Sequence, residues 1–397
     1  MPEYYLPLMK THSFRAPRNI IFGVGCLEML GQEARQLGGK SVLLVSDKII
    51  DQVGLLDKAK KQLQEKDFEI HVFNKVEPEP TVENADEITS IVRESRYDLV
   101  VGVGGGSVLD MAKTASIMAT NSGSIRDYFG KEVPKKGLQK ILIPTTAGTG
   151  SEVSEVILLT DKGMKPLVRS SKNLAEIAIV DPLMSITMPP KLTAATGLDA
   201  LSHAIGAILS LGANPMTDTL GLKAVEMVSQ NLRIAYNQGN NLQARYHMAL
   251  AATIGMLSAA NAGGAGLSHS LANTVASKFH MPHGESCALA LPYTMNFNAQ
   301  VCPEKLKLIA VAMGENVTGI SIYEAAHNAS VAVKKLVEDT DNPSSLRQLD
   351  DSKDYLQGMV EDLMTKYQRG FLFNPRKVDR RSAINLYEEM WEGKLKI

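Results

Sequence analysis

The sequence is poor in the features that mark several large functional classes. Its 397 residues carry only three cysteines, Cys26, Cys287 and Cys302. So few, odd in number and not spaced in metal-type pairs, they argue against a disulfide framework and suit a reducing cytosol. Neither sign of charge is in excess, since 42 Lys and Arg against 43 Asp and Glu leave a net charge of -1. Without a basic surplus or polybasic tract, neither nucleic acid nor an anionic membrane is an expected partner. There is no run of about 20 apolar residues, so no segment is expected to span a bilayer. The opening stretch, Met1 to Pro17, lacks the apolar core of a signal peptide, and a cytoplasmic location is expected. Low-complexity tracts and fixed-period repeats are missing too. The length that remains is natural for two domains of roughly 100–200 residues each.

The first part of the chain alternates strand-like and helix-like segments. Ser41–Val45, Glu69–Phe73, Asp98–Val103, Lys140–Pro144, Ile157–Thr160 and Ala178–Val180 read as strands. Gln52–Glu65, Val82–Ser95 and Ser107 to about Thr120 read as helices. Such alternation implies a parallel sheet joined by helical crossovers. Continuous apolar strands imply that both sheet faces are covered. The texture changes after Asp181-Pro182, and Met188-Pro189-Pro190 breaks the chain. From Thr193 onward apolar residues recur with helical spacing and strand-like runs nearly vanish. The expected organisation is an α/β domain over 1–185 and an all-helical domain over 186–397.

Two glycine-rich turns lie in the first domain. Gly102-Val103-Gly104-Gly105-Gly106-Ser107 ends a strand and opens a helix. Glycine there lets backbone approach a ligand, and a helix start offers free N–H groups to phosphate. Because Ser107 stands where a last glycine would be, this is neither the G-x-G-x-x-G pattern nor a P-loop. The second turn is Pro144-Thr145-Thr146-Ala147-Gly148-Thr149-Gly150-Ser151-Glu152. The hydroxyls of Thr145, Thr146, Thr149 and Ser151 suit a ribose or diphosphate, or equally a helix cap. Two such turns on successive strands favour a dinucleotide over either taken singly. Asp47, just past the first strand, can accept from ribose hydroxyls and repel a 2′-phosphate, which favours NAD over NADP. It also reads well as a helix N-cap.

The second domain holds a set of metal-ligand types. Asp199 and His203 are four apart in a helical pattern and share one face. By themselves they suit a structural Asp–His hydrogen bond. His269 opens a second helical run and His283 follows Met281-Pro282. One carboxylate and three imidazoles suit iron(II) or zinc with a position left open. Histidine is scarce, with 8 in the chain, yet four fall in Asp199–His203 and His269–His283, counting His280. His280 lies three residues before His283 and is a candidate proton-transfer group, its unperturbed pKa being about 6.5. It reads equally well as a surface histidine. Met248, Met256 and Met295 suit core packing. Arg169 and Lys172 can serve an anionic substrate or simply be solvated.

These motifs together resemble the iron-containing (group III) alcohol dehydrogenases, which include lactaldehyde reductase and 1,3-propanediol dehydrogenase. The anchors are Gly104-Gly105-Gly106-Ser107 with Asp110 and Lys113, the run Pro144–Glu152, and Val180-Asp181-Pro182. They continue with Thr196–Ile205, His269 and Pro282-His283-Gly284, so the likeness runs through nearly the whole chain. It implies the dehydroquinate synthase-like fold, a Rossmann-like α/β domain followed by a helical one with the site in the cleft. It implies that Asp199, His203, His269 and His283 carry the metal, commonly iron(II). It implies that Gly104–Ser107 cradle the diphosphate of NAD(H), that Thr145, Thr146 and Thr149 line its inner half, and that Lys165 and Leu183 touch it. The implied reaction is hydride transfer between NAD(H) and a small alcohol or aldehyde; separately, a homodimer or larger assembly is expected because symmetric homo-oligomers are common. A hydroxyacid–oxoacid transhydrogenase and a metal-dependent lyase on the same scaffold remain as alternatives. Three positions depart from the family pattern. Asn273 replaces a common histidine, Gly206 a usual glutamate, and His280 a common asparagine.

Overall fold

The computed structural model describes residues 11–396. The opening residues 1–10, on which part of the signal-peptide reading rests, lie outside the described residues. The first half is built on a six-stranded, wholly parallel sheet. Its strands are β1 (Asn19–Phe22), β2 (Ser41–Val45), β3 (Glu69–Phe73), β4 (Leu99–Gly104), β5 (Gln139–Pro144) and, after two short strands described below, Ile177–Val180, which is β8. The spatial order is β1-β8-β5-β4-β2-β3.

Alternation along the strands builds two cores. In β2, Leu43 and Val45 face one side with Val100 and Leu142. Val42 and Leu44 face the other with Leu99, Val101, Val103, Ile141 and Ile143. Leu44 pairs with Val101, and Val101 with Ile141, so each layer is continuous across the sheet. The helices that cover it are α1 (Leu30–Leu37), α2 (Lys48–Gln52), α3 (Leu55–Gln64), α4 (Val82–Glu94) and α5 (Gly106–Met118).

Three local expectations are corrected. The single helix expected over Gln52–Glu65 is two, because Gly54 adopts the left-handed conformation (φ 76°) and restarts the chain as α3. The strand expected over Ile157–Thr160 leaves the main sheet. As β6 (Val156–Leu158) it pairs antiparallel with β7 (Leu167–Arg169). Strand β1 was not expected, since Asn19–Phe22 is too short to show a period.

Nine helices follow β8 among the described residues: α6 (Pro190–Leu209), α7 (Pro215–Asn237), α8 (Leu242–Asn261), α9 (Leu267–Phe279), α10 (His283–Asn298), α11 (Pro303–Ala312), α12 (Ile322–Glu338), α13 (Leu356–Thr365) and α14 (Arg380–Glu392). Helix α6 is long and apolar enough to cross a membrane by length and composition, contrary to expectation, but 83% of that window is buried inside the protein. It is the central helix of the domain, in one core with Met248 and Met295. Arg245 is fully buried and fastens the connection into α6. It donates to Met188 O at 2.9 Å, Thr193 Oγ1 at 2.8 Å and Gly239 O at 2.8 Å.

Candidate active site

The glycine turn after β4 sits at the carboxyl edge of the sheet. Gly105 is the N-cap of α5 and offers no side chain to its N–H groups, which leaves them available to an anion. The second glycine loop folds over this helix start. A Cβ placed on Gly106 would lie 2.8 Å from Thr149 Cγ2, and one on Gly105 3.4 Å from Thr146 Cγ2. Backbone and threonines are thus already in contact where the expected diphosphate cradle lies. Ser107 is half-buried in the first turn of α5. Thr145 N donates to Gly104 O at 3.0 Å, while the buried Thr145 Oγ1 has no partner.

A buried ion holds the loop in place. Lys113 Nζ donates to Asp110 Oδ1 (3.1 Å), Ser151 Oγ (2.7 Å) and Val156 O (2.9 Å). Asp110 also accepts from Ser151 Oγ and Leu158 N. Helix α5, the second loop and β6 are therefore joined under the cradle.

Of the remaining expected cofactor residues, Asp47 and Leu183 follow the carboxyl ends of β2 and β8, while Lys165 lies just before β7 in the separate two-stranded hairpin. Asp47 caps α2, with Oδ1 accepting from Ile49 N and Ile50 N at 2.8 and 2.9 Å. Its cap role is thus present, and Oδ2 takes no part in it. Leu183 N is capped by Asp181 Oδ1 at 3.0 Å. Lys165 Nζ pairs with Glu79 Oε1 at 2.9 Å and is close enough to His283 to influence its charge.

The metal-ligand types converge from three helices. Asp199 and His203 lie one turn apart on buried α6, His269 in the first turn of α9, and His283 at the start of α10. Asp199 Oδ1 is 3.4 Å from His269 Nε2, 3.8 Å from His283 Nε2 and 3.9 Å from His203 Nδ1. Asp199 Oδ1, His203 Nδ1, His269 Nε2 and His283 Nδ1 are buried without a hydrogen-bond partner. Leaving so many polar atoms unsatisfied is costly unless something else binds them, and a divalent cation fits this donor set.

Charge favours the same view. Burial drives the His203 and His283 imidazoles down to about 4, with Asp199 opposing. Burial pushes the Asp199 carboxyl up, but His203, His269 and His283 more than offset this and hold it well below the usual carboxylate range. At neutral pH the site presents a carboxylate beside neutral His203 and His283, the protonation states a cation requires.

Sequence reasoning missed one member. Cys287, buried on α10, places Sγ 3.5 Å from His283 Nε2. One donor atom each from Asp199, His269, His283 and Cys287 lies within 4.8 Å of the other three. The cysteines form no metal-type pair among themselves. The i,i+4 spacing of His283 and Cys287 was the signal available in the sequence.

Other expected residues fall elsewhere. His280 is exposed and closes α9 in the left-handed conformation (φ 51°), a position that asparagine or glycine fills most readily. It is not among the clustered donors. Arg169 and Lys172 pair with Glu155 and Glu132. Asn273 is half-buried on α9. Gly206 has a steric reason, since its Cβ would lie 2.2 Å from Ala265 O, leaving no room for glutamate.

The two halves of the site meet directly. A Cβ on Gly148 would strike Thr196 of α6 at 2.7 Å, and one on Gly150 would strike Met256 of α8 at 2.2 Å. Thr253 donates to the buried Glu152 Oε1 at 2.8 Å, and burial raises that carboxyl. The loop that covers the glycine turn after β4 is therefore packed against the helix that carries Asp199 and His203.

Comparison with known proteins gives a consistent result. The family model described as "Iron-containing alcohol dehydrogenase" matches residues 17–182. The model for the C-terminal part of the Fe-containing alcohol dehydrogenase family matches residues 193–391. The chain is 38% identical over 375 residues to long-chain-alcohol dehydrogenase 1 of Geobacillus thermodenitrificans, covering 94% of each chain. It is 36% identical to 1,3-propanediol dehydrogenase of Klebsiella pneumoniae, covering 96% of this chain and 99% of that one. A crystal structure of 1,3-propanediol oxidoreductase superposes with a TM-score of 0.92 at 35% identity, over 96% of this chain and 100% of the other.

Proposed function

We propose a reaction from one premise: the chain belongs to the iron-containing alcohol dehydrogenase family. It is an oxidoreductase that interconverts an alcohol and its aldehyde, and in our reading NAD(H) carries the hydride. The bound cation, iron(II) in the first instance and zinc as the alternative, supplies Lewis acidity that polarises the substrate oxygen.

The chain's own residues do the rest by holding and orienting. Asp199, His203, His269 and His283 hold the cation. The N–H groups at Gly104, Gly105, Gly106 and Ser107 face the diphosphate, and Asp47 takes the adenosine ribose. Thr145, Thr146 and Thr149 line the inner half of the cofactor, with Lys165 and Leu183 at its flanks. Fixing distance and angle between ring and substrate is the protein's main contribution to rate. His280, exposed beside the metal segment, exchanges the proton with solvent. The α/β domain spans 1–185 and the helical domain 186–397, and the protein works in the cytoplasm as a homo-oligomer, a dimer or larger.

The observation that carries this reading is the set of partnerless buried donors around Asp199, packed against the loop that covers the phosphate turn. The test is an NADH-oxidation screen over neutral and anionic short aldehydes, run with iron(II) and then zinc. Turnover that consumes NADH stoichiometrically is expected, and it is lost with bound metal in His269→Ala and His283→Ala that remain folded by circular dichroism. Full activity in a metal-free sample refutes the assignment. Substrate conversion with no net change in NADH points to the transhydrogenase or lyase alternatives.

A further inference from the structure

Ser151 and Glu152 are consecutive residues with opposite attachments. Ser151 Oγ accepts from Lys113 Nζ at 2.7 Å and donates to Asp110 Oδ1, which ties it to α5, the helix that opens at the glycine turn. Glu152 is 2% exposed and turns the other way. Its Oε1 accepts from Thr253 Oγ1 of α8 at 2.8 Å. Among the described residues, this is the only side-chain-to-side-chain hydrogen bond from the loop over residues 144–155 to helices α6–α14.

Helix α8 is in turn seated on the helix that bears two of the cation donors. Gly255 lies two residues after Thr253, and a Cβ placed there would be 3.3 Å from Ala200 O and 3.6 Å from Ala204 Cβ. Those residues directly follow Asp199 and His203 on α6. A continuous path therefore runs from α5 through Ser151, Glu152, Thr253 and the Gly255 contact to the cation donors. Burial raises the Glu152 carboxyl, with Thr253 and the charge of Lys113 opposing. Lys113 itself is occupied by Asp110, Ser151 and Val156 O. Burying a carboxyl costs free energy that an apolar side chain would not. What Glu152 contributes is the direction of one bond.

We propose that Glu152 is a positioning residue for hydride transfer, which through Thr253 ties the cofactor loop to α8 and so fixes the spacing between the cofactor half and the cation half of the site. The inference rests on the function proposed above. Glu152 touches neither cofactor nor substrate and moves no proton. Transfer between two separately held partners is steep in their separation, and a misplacement of about 1 Å can cost about 100-fold. Gly148 and Gly150 still pack the loop on α6 and α8 when the bond is lost, so a smaller loss of about tenfold is expected.

Variants loaded with iron(II) test this with NADH and the fastest aldehyde of the screen above. In Glu152→Ala and in Thr253→Val, kcat should fall about tenfold, while NADH affinity by fluorescence titration and metal content stay within about twofold of native. Thr253→Val matches threonine in size and keeps the test open if Glu152→Ala folds poorly. Glu152→Gln, whose amide oxygen accepts from the same hydroxyl, should restore kcat to within about threefold of native. The double variant Glu152→Ala/Thr253→Val should be no slower than either single change, because each breaks the same bond. With neither cofactor nor metal present, amide hydrogen exchange over residues 149–155 should quicken in both single variants and return to native rates in Glu152→Gln. Native kcat and native exchange in Glu152→Ala and Thr253→Val overturn the role. So does a kcat that falls as far in Glu152→Gln as in Glu152→Ala, which marks a proton-transfer group. Losses that multiply in the double variant, or NADH affinity that falls in step with kcat, overturn it as well. A native chain that oxidises no NADH with any aldehyde overturns the dehydrogenase reading and this role with it, even where exchange shows the Glu152–Thr253 bond intact.

Discussion

Replacing Lys113 by methionine probes the linchpin under the cofactor turn. Its ammonium is fully buried and donates to Asp110 Oδ1, Ser151 Oγ and Val156 O at 2.7–3.1 Å. Methionine matches the stem's volume but supplies none of the three donors. Val156 O loses a hydrogen bond, and the Asp110 carboxylate keeps its bonds from Ser151 and Leu158 but loses its countercharge. Breaking one side of a buried ion pair costs about 3–5 kcal/mol. For a domain of this size each kcal/mol lowers the melting temperature by about 2–4 °C, so a drop of about 6–20 °C is expected by calorimetry. Adding Asp110→Asn removes the stranded charge, so the double variant should recover at least about 1 kcal/mol relative to Lys113→Met. Because Ser151 anchors the loop whose threonines cover Gly105 and Gly106, NADH binding should weaken about tenfold, or about 1.4 kcal/mol. A loss below about 1 kcal/mol, or a double variant no more stable than the single, refutes the account.

Other tests address separate parts. Gly206→Glu drives a side chain into the Ala265 carbonyl and should cost about 1–3 kcal/mol or more by thermal denaturation; an unchanged melting temperature refutes the close approach. In the metal-free protein, His203 and His283 titrate near 4 instead of at their ordinary value near 6.5. The unfolded chain therefore takes up more protons between those values, so stability should fall as pH drops from 6.5 toward 4. Urea midpoints that rise on acidification through that window contradict the burial argument. The native enzyme should prefer NADH to NADPH, and Asp47→Gly should narrow the ratio of kcat/KM values; equal use of both cofactors by the native chain removes Asp47 from recognition. His280→Gln should shift the pH profile of kcat while metal content stays the same, and an unchanged profile removes His280 from proton transfer.

The legible part of this protein is the part whose signal is periodic or compositional. Strands β2, β4 and β5 announce themselves because apolar residues on both faces leave continuous runs such as Val42–Val45, whereas the edge strand β3 is mostly exposed. The glycine turns are visible because close backbone approach admits nothing larger. What stayed hidden depends on contacts made by distant segments. The break at Gly54 is a matter of one backbone torsion, and the departure of β6 from the main sheet is set by its pairing with β7. The length of α6 looks membrane-like until packing against α7, α8 and α10 encloses it. Cys287 is hidden because no cysteine lies near it in the sequence, while its neighbours are two histidines and an aspartate on other turns and helices.

The same distinction explains why the site is legible as a list of residues and not as an arrangement. Gly148 and Gly150 read in the sequence as parts of a phosphate-type loop, yet the structure uses them differently. Each has its missing Cβ occupied by the helical half, by Thr196 and by Met256. Bulk at either position would push the loop off α6 and α8, moving Thr146 and Thr149 away from Asp199 and His203 without altering any ligand. On the proposed reading, the separation between cofactor and cation would be set by backbone-to-helix packing rather than by the polar residues proposed to bind them. Alanine at Gly148 should for that reason depress turnover more than it depresses either NADH affinity or metal content, whereas a loop that served the phosphates alone would lose NADH affinity first.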